Sequence, residues 1–181
     1  MSDISAVSPA KSAVPFGVLF GIIMVLEFMA SYILDIDPVS NMSYGVGINI
    51  LNYLILPILL ISLQCNSFKK SNFGYISFGE CLKIGVTICL LAGLIYALFS
   101  VVFNFIFPEF MDDVLRKTRM VMIQQNPQMT NEQVNMGLEM TKKFMQPAIV
   151  IPATIVMFSF IGLIYSLIIG AIVKKDKIQS L

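Results

Sequence analysis

Apolar positions fall into four long blocks, Val14 to Leu34, Gly45 to Leu63, Ile84 to Phe107 and Ala148 to Val173, with one charged residue, Glu27, among them all. Each block runs about 20 residues or more, which at roughly 1.5 Å of rise per residue spans a hydrocarbon core of about 30 Å. The pattern predicts four transmembrane helices. One such block also suits a helix buried in a soluble protein; four within 181 residues do not.

Between the third and fourth blocks the pattern changes. Phe110, Val114, Leu115, Thr118, Val121 and Met122 recur at helical spacing, with Asp112, Asp113, Arg116, Lys117 and Arg119 between them. Gln124-Gln125-Asn126-Pro127 breaks that run. Thr130-Asn131-Glu132-Gln133 then forms a capping-box pattern, opening a second helix with Val134, Leu138, Thr141 and Met145 on one face. The expected fold is all-α: a polytopic membrane protein of four transmembrane helices, with an extracytoplasmic amphipathic helical hairpin between spans three and four. Residues 1–181 form a single four-helix membrane domain, and 108–147 is the hairpin inserted in it. Seven of the twelve Met residues lie in the hairpin, and Met adapts well to varied surfaces. Phe110, Val114, Met122, Val134, Leu138 and Met145 are therefore read as a surface facing a partner.

Composition narrows the classes of function. With 57% hydrophobic and 13% charged residues the chain is neither disordered nor an ordinary soluble globule, and a net charge of +1 gives no field to attract nucleic acid. The absence of His removes the commonest general base and the commonest transition-metal ligand. Soft-metal capture by Met120 with Met122, or by Met136 with Met140, lacks a His or an outer Cys to complete a site. No cofactor or metal is expected. No nucleophile and base fall at a motif spacing, so no enzyme is expected either.

Orientation follows the bases. Lys11, Lys69, Lys70, Lys83, Lys174, Lys175 and Lys177 fall in short segments on one side, whereas Arg116, Lys117, Arg119, Lys142 and Lys143 share the other side with the acids of the two remaining loops. Positive-inside bias places both termini in the cytoplasm. Cys65 and Cys81 then face a reducing compartment and Cys89 lies within a span, so disulfides are not expected. The N-terminal stretch has no basic region ahead of its first apolar run, so the first span reads as a retained anchor.

Within the spans, Ser77-Phe78-Gly79-Glu80 is a capping box that starts the third helix, Phe107-Pro108 ends it, and Pro147 opens the fourth. Three spans carry small residues at four-residue spacing: Ala13, Gly17 and Gly21; Gly85, Cys89, Gly93 and Ala97; Gly162, Ser166 and Gly170. Small side chains let helix backbones approach closely in lipid, and packing within the bundle is read ahead of homo-oligomer formation. Glu27 needs compensation, because an unpaired charge there costs about 2.5 kcal/mol or more. Counted inward from the span ends, Glu27, Asn52, Ser100 and Thr154 lie at nearly one depth, with Asn49 a turn outward from Asn52. A Glu kept neutral by burial and bonded to such groups would be helix glue; the alternative is a proton or cation site.

The stretch Gly74-Tyr75-Ile76-Ser77-Phe78-Gly79-Glu80-Cys81-Leu82-Lys83-Ile84-Gly85, the long third span and Phe107-Pro108-Glu109-Phe110 resemble a bacterial family of small four-span inner-membrane proteins, domain of unknown function 4199. The long loop before the last span matches as well. The resemblance implies a multi-pass protein of the bacterial cytoplasmic membrane and supplies no catalytic residues. Two classes of function stand: a non-enzymatic accessory subunit that binds a membrane or envelope protein through its hairpin and bundle, and a small transporter or ion-coupled carrier using Glu27. The feature that separates them is whether water reaches Glu27.

Overall fold

The computed structural model describes residues 8–176; residues 1–7 and 177–181, Lys177 among them, lie outside the described residues. Helices follow in the order α1 (Pro9–Ile33), α2 (Met42–Ile50), a π-helical turn (Leu51–Ile55), α3 (Leu56–Ser71), α4 (Phe78–Ile106), α5 (Pro108–Gln125), α6 (Asn131–Phe144) and α7 (Pro147–Val173). Among the described residues, four rods are long and apolar enough to cross a membrane: α1, the continuous α2–α3 rod from Met42 to Ser71, α4 and α7. Val102, Phe105, Val156, Phe160 and Ile172 stand exposed on their outer faces. Lipid solvates such a surface and water does not.

Local chemistry sets the helix ends. The Ser77 hydroxyl accepts from the Glu80 amide at 3.3 Å while the Ser77 amide donates to the Glu80 carboxylate at 2.7 Å, closing the capping box that starts α4. Thr130 and Gln133 close the same motif at α6. Pro108 and Pro147 occupy the first turns of α5 and α7, where a missing N–H leaves no bond unmade. The second span runs past the apolar block at Leu63, because Gln64 to Ser71, mostly polar but with Cys65 and Phe68 buried in the core, continue the helix. It stops where Phe73 (φ 55) and Gly74 (φ 83) turn left-handed.

That second span is not a uniform α-helix. Pro57 has no N–H for the Tyr53 carbonyl one turn back, so the regular ladder fails there. The chain widens instead: the Leu56 amide bonds the Leu51 carbonyl five residues back, and the Tyr165 hydroxyl of α7 donates to the orphaned Tyr53 carbonyl at 2.9 Å. Below this turn α3 packs on α1, α4 and α7; above it α2 stands off from them.

The centre of the bundle is α4, which packs along α1 on one side and α7 on the other. Here the small columns meet. A methyl group added at Gly17 or Gly21 would lie 2.9 or 2.8 Å from the Cβ of Leu91 or Ile95, and one added at Gly162 would meet the Gly85 carbonyl at 2.6 Å. Gly85 and Gly93 face Ser166 and Phe158 across the same α4–α7 seam, and Gly170 faces Cys81. Gly162→Ala is accordingly expected to lower thermal stability in detergent by about 1–3 kcal/mol. Gly47→Ala, where an added methyl group meets nothing within 4 Å, is the control and should lose nothing.

The two ends of the bundle differ. At the end holding both described termini, Gln64 donates to the Ser12 carbonyl at 2.9 Å, Lys69 donates to the Val173 carbonyl at 2.8 Å, and Ile76 and Lys175 exchange backbone hydrogen bonds. The buried core includes Phe20, Ile61, Ile84, Ile88 and Phe158. At the other end α5 and α6 pack on each other, with Arg119 reaching Asn135 and Asn131 and with Met122 against Gly137. Phe110 of α5 inserts its ring among Phe28, Tyr32 and Phe103, which anchors α5 on α1 and α4.

Candidate functional site

Because α2 stands off, a cavity of about 370 Å³ opens between α1, α2, α4 and α5, from the level of Glu27 to the α1–α2 loop. At its inner end the π turn presents Asn52, whose amide nitrogen donates to the Glu27 carboxylate at 2.6 Å. Asn52 is 6% exposed, and its amide oxygen is buried without a hydrogen-bond partner. With its NH₂ side toward Glu27, the Asn52 amide matches an ionised carboxylate, which only accepts. One helical turn outward on α1, the Ser31 hydroxyl donates to the Glu27 backbone carbonyl at 2.8 Å and shares a hydrogen bond with the Tyr44 hydroxyl of α2.

From α4, Tyr96, Ser100 and Asn104 line the opposite wall at four-residue intervals. Asn104 donates to the Ser100 carbonyl at 2.8 Å, and its own amide oxygen is a second buried acceptor with no partner. Both oxygens are covered by protein rather than open to the cavity, and a buried polar group left unpaired costs about 1–3 kcal/mol. Rings supply the remaining walls: Phe28, Tyr32, Tyr53 and Phe110 line it with Tyr96.

The mouth carries charge. Lys117 of α5 lies 2.7 Å from one Asp113 oxygen and 3.7 Å from Asp37 of the α1–α2 loop, and Arg116 also pairs with Asp113. Asp37 is preset by its own loop, accepting from the Val39 and Ser40 amides at 3.0 and 3.1 Å and from the Ser40 hydroxyl at 2.6 Å. Burial pushes the Asp37 carboxyl up, but these bonds and Lys117 outweigh it and hold the group below its ordinary value. Hydrogen bonds from Lys117 and Arg116 hold Asp113 low, and the bond to Asp113 raises Lys117. Lowered carboxyls and a raised ammonium keep this clamp ionised through the neutral range. Its small contribution fades only as pH falls through the lowered carboxyl values or rises through the raised lysine value.

Of the polar residues singled out in the sequence, Glu27, Asn49, Asn52 and Ser100 line this one cavity. Thr154 does not: it is half-buried on α7, outside the lining. The six hairpin residues expected to face a partner lie against the chain itself. Val134 is 1% exposed, Phe110, Val114 and Met145 line the cavity, Met122 packs on Gly137, and Leu138 is half-buried. The apolar side chains of α5 and α6 left exposed are Met120, Ile123, Met136, Met140 and Phe144. Among the described residues, no group of three His, Cys, Asp or Glu is placed to hold a metal ion.

Sequence reasoning missed Ser31, Tyr44, Tyr53, Tyr96 and Asn104. The signal for two of them was present, since Tyr96, Ser100 and Asn104 repeat every fourth residue along one face of α4.

Four apolar rods bundled around α4, with a polar cavity at one end, define a multi-pass helical membrane protein. The chain belongs to the DUF4199 family, proteins of unknown function, whose family model matches residues 15–175. No curated protein and no solved structure matches it.

Proposed function

We propose that the protein is a small carrier-type membrane protein that takes a solute into the cavity beside Glu27. The observation that carries this reading is the Glu27–Asn52 pair: it lies at the inner end of a 370 Å³ cavity, where helix glue would be sealed by side chains. We place the end holding the termini in the cytoplasm of a bacterial cell, because Lys11, Lys69, Lys70, Lys83, Lys174 and Lys175 gather there. The cavity then faces the extracytoplasmic side of the inner membrane. A second reading, an accessory subunit docked on a membrane or envelope partner, is favoured by the exposed Met120, Ile123, Met136, Met140 and Phe144 of the α5–α6 pair.

Single cysteines in a variant lacking Cys65, Cys81 and Cys89 test the proposal. With a small charged thiol reagent added to intact cells, Asn49→Cys and Ser100→Cys are expected to be modified and Thr154→Cys to be spared. Protection of both cavity positions in a correctly inserted chain would overturn the carrier reading and leave the accessory subunit in its place.

A further inference from the structure

The lining of the cavity specifies more than a polar solute. It bears four carboxylates, Glu27, Asp35, Asp37 and Asp113, against one ammonium, Lys117, which is already held by Asp113 and Asp37. With Arg116 also paired to Asp113, four acids face two bases, a balance that favours a cation over an anion. The acceptor at the cavity's inner end is Glu27, half-buried and part of the lining. Glu27 accepts one bond from Asn52, which leaves its other oxygen for a second donor.

The remaining walls are rings. Phe28, Tyr32, Tyr53, Tyr96 and Phe110 surround the polar groups, and aromatic faces attract a cation within about 6 Å while also accepting an apolar body. A proton or a bare metal ion uses neither this volume nor these rings; a cavity of 370 Å³ lies in the range of small-molecule sites, roughly 300–1,000 Å³.

We propose, resting on the carrier reading above, that the cavity binds an organic ammonium ion with an apolar body. Its N–H donors go to the Glu27 carboxylate, and its hydrocarbon part lies among the rings. The Lys117 clamp at the mouth repels the ligand's own charge least while it remains paired with Asp37 and Asp113, so the acids of the mouth still draw cations inward.

The test uses the full chain in nanodiscs of zwitterionic lipid, with 2-phenylethylammonium as the probe and equilibrium binding as the readout. Saturable one-to-one binding is expected. N,N,N-trimethyl-2-phenylethylammonium, which keeps charge and ring but has no N–H, should bind at least roughly tenfold more weakly, since a site built around acceptors rejects a ligand without donors. The anion 3-phenylpropanoate should not bind.

Equal affinity for the primary and trimethyl cations overturns the donor assignment, and it does so on the unaltered chain even where a variant fails to fold. Binding of the anion overturns the charge assignment. Absence of amine binding in nanodiscs where Asn49→Cys is still modified overturns the ammonium class alone. Absence of both overturns the carrier reading itself.

Discussion

Glu27→Gln is expected to leave the bundle folded and to reduce 2-phenylethylammonium binding by about two orders of magnitude. Gln preserves length and an acceptor for the Asn52 amide, so the 2.6 Å bond between α1 and the π turn has a replacement. It removes the charge. Losing one partner of a buried, hydrogen-bonded charge pair costs about 2–5 kcal/mol, which sets the expected loss of affinity. Glu27→Leu behaves differently in the free protein: Asn52 loses its acceptor as well, and thermal stability should fall by roughly 1 kcal/mol, or about 2–4 °C for a chain of this size. Helix glue alone predicts the reverse ranking, with Gln silent in every assay and Leu the one harmful change. Retained binding in Glu27→Gln would restore glue as the account of this residue.

The four spans were readable from the chain because hydrocarbon imposes a length and a composition on any helix that crosses it, and the blocks ending at Leu34, Phe107 and Val173 meet both conditions. The capping boxes at Ser77 and Thr130 were readable because that chemistry is local to four residues. Depth counting brought Glu27, Asn52 and Ser100 to one level for the same reason, as helical rise is constant. It failed for Thr154 because depth is one coordinate and the face of the helix is the other, and α7 turns its polar groups elsewhere. The apolar stripe from Phe110 to Met145 was visible as a stripe, but periodicity says only that something covers such a face. Here the chain covers it, through α6, the ring cluster at Phe28 and the cavity wall. The cavity itself was hidden, because it depends on the departure from a 3.6-residue period at Leu51–Ile55, which no apolar pattern records. Pro57 was its one signal.

Pro57→Ala carries the other large expectation: a protein at least as stable as the original and deprived of its site. Alanine restores the N–H that the Tyr53 carbonyl lacks, and a helix-interior proline is about 3 kcal/mol less favourable than alanine, an upper bound here because the π turn and Tyr165 already relieve part of that strain. With the ladder repaired, the α2–α3 rod is free to straighten. Straightening turns Asn52 away from Glu27 and brings α2 toward α1 and α4, where the cavity now lies. Binding of 2-phenylethylammonium should be lost, and Asn49→Cys should become protected from aqueous thiol reagents, while the midpoint of thermal unfolding holds or rises. Tyr165→Phe separates the contributions, since it leaves Pro57 in place and removes only the hydroxyl that satisfies Tyr53, at a cost of about 1 kcal/mol and with the cavity preserved. Should Pro57→Ala gain stability and still bind the amine at the original affinity, the widened turn would have to be held by the packing of Asn52 and Tyr53 rather than by the missing N–H. In that case Asn52→Leu, not Pro57→Ala, would be the substitution that closes the cavity.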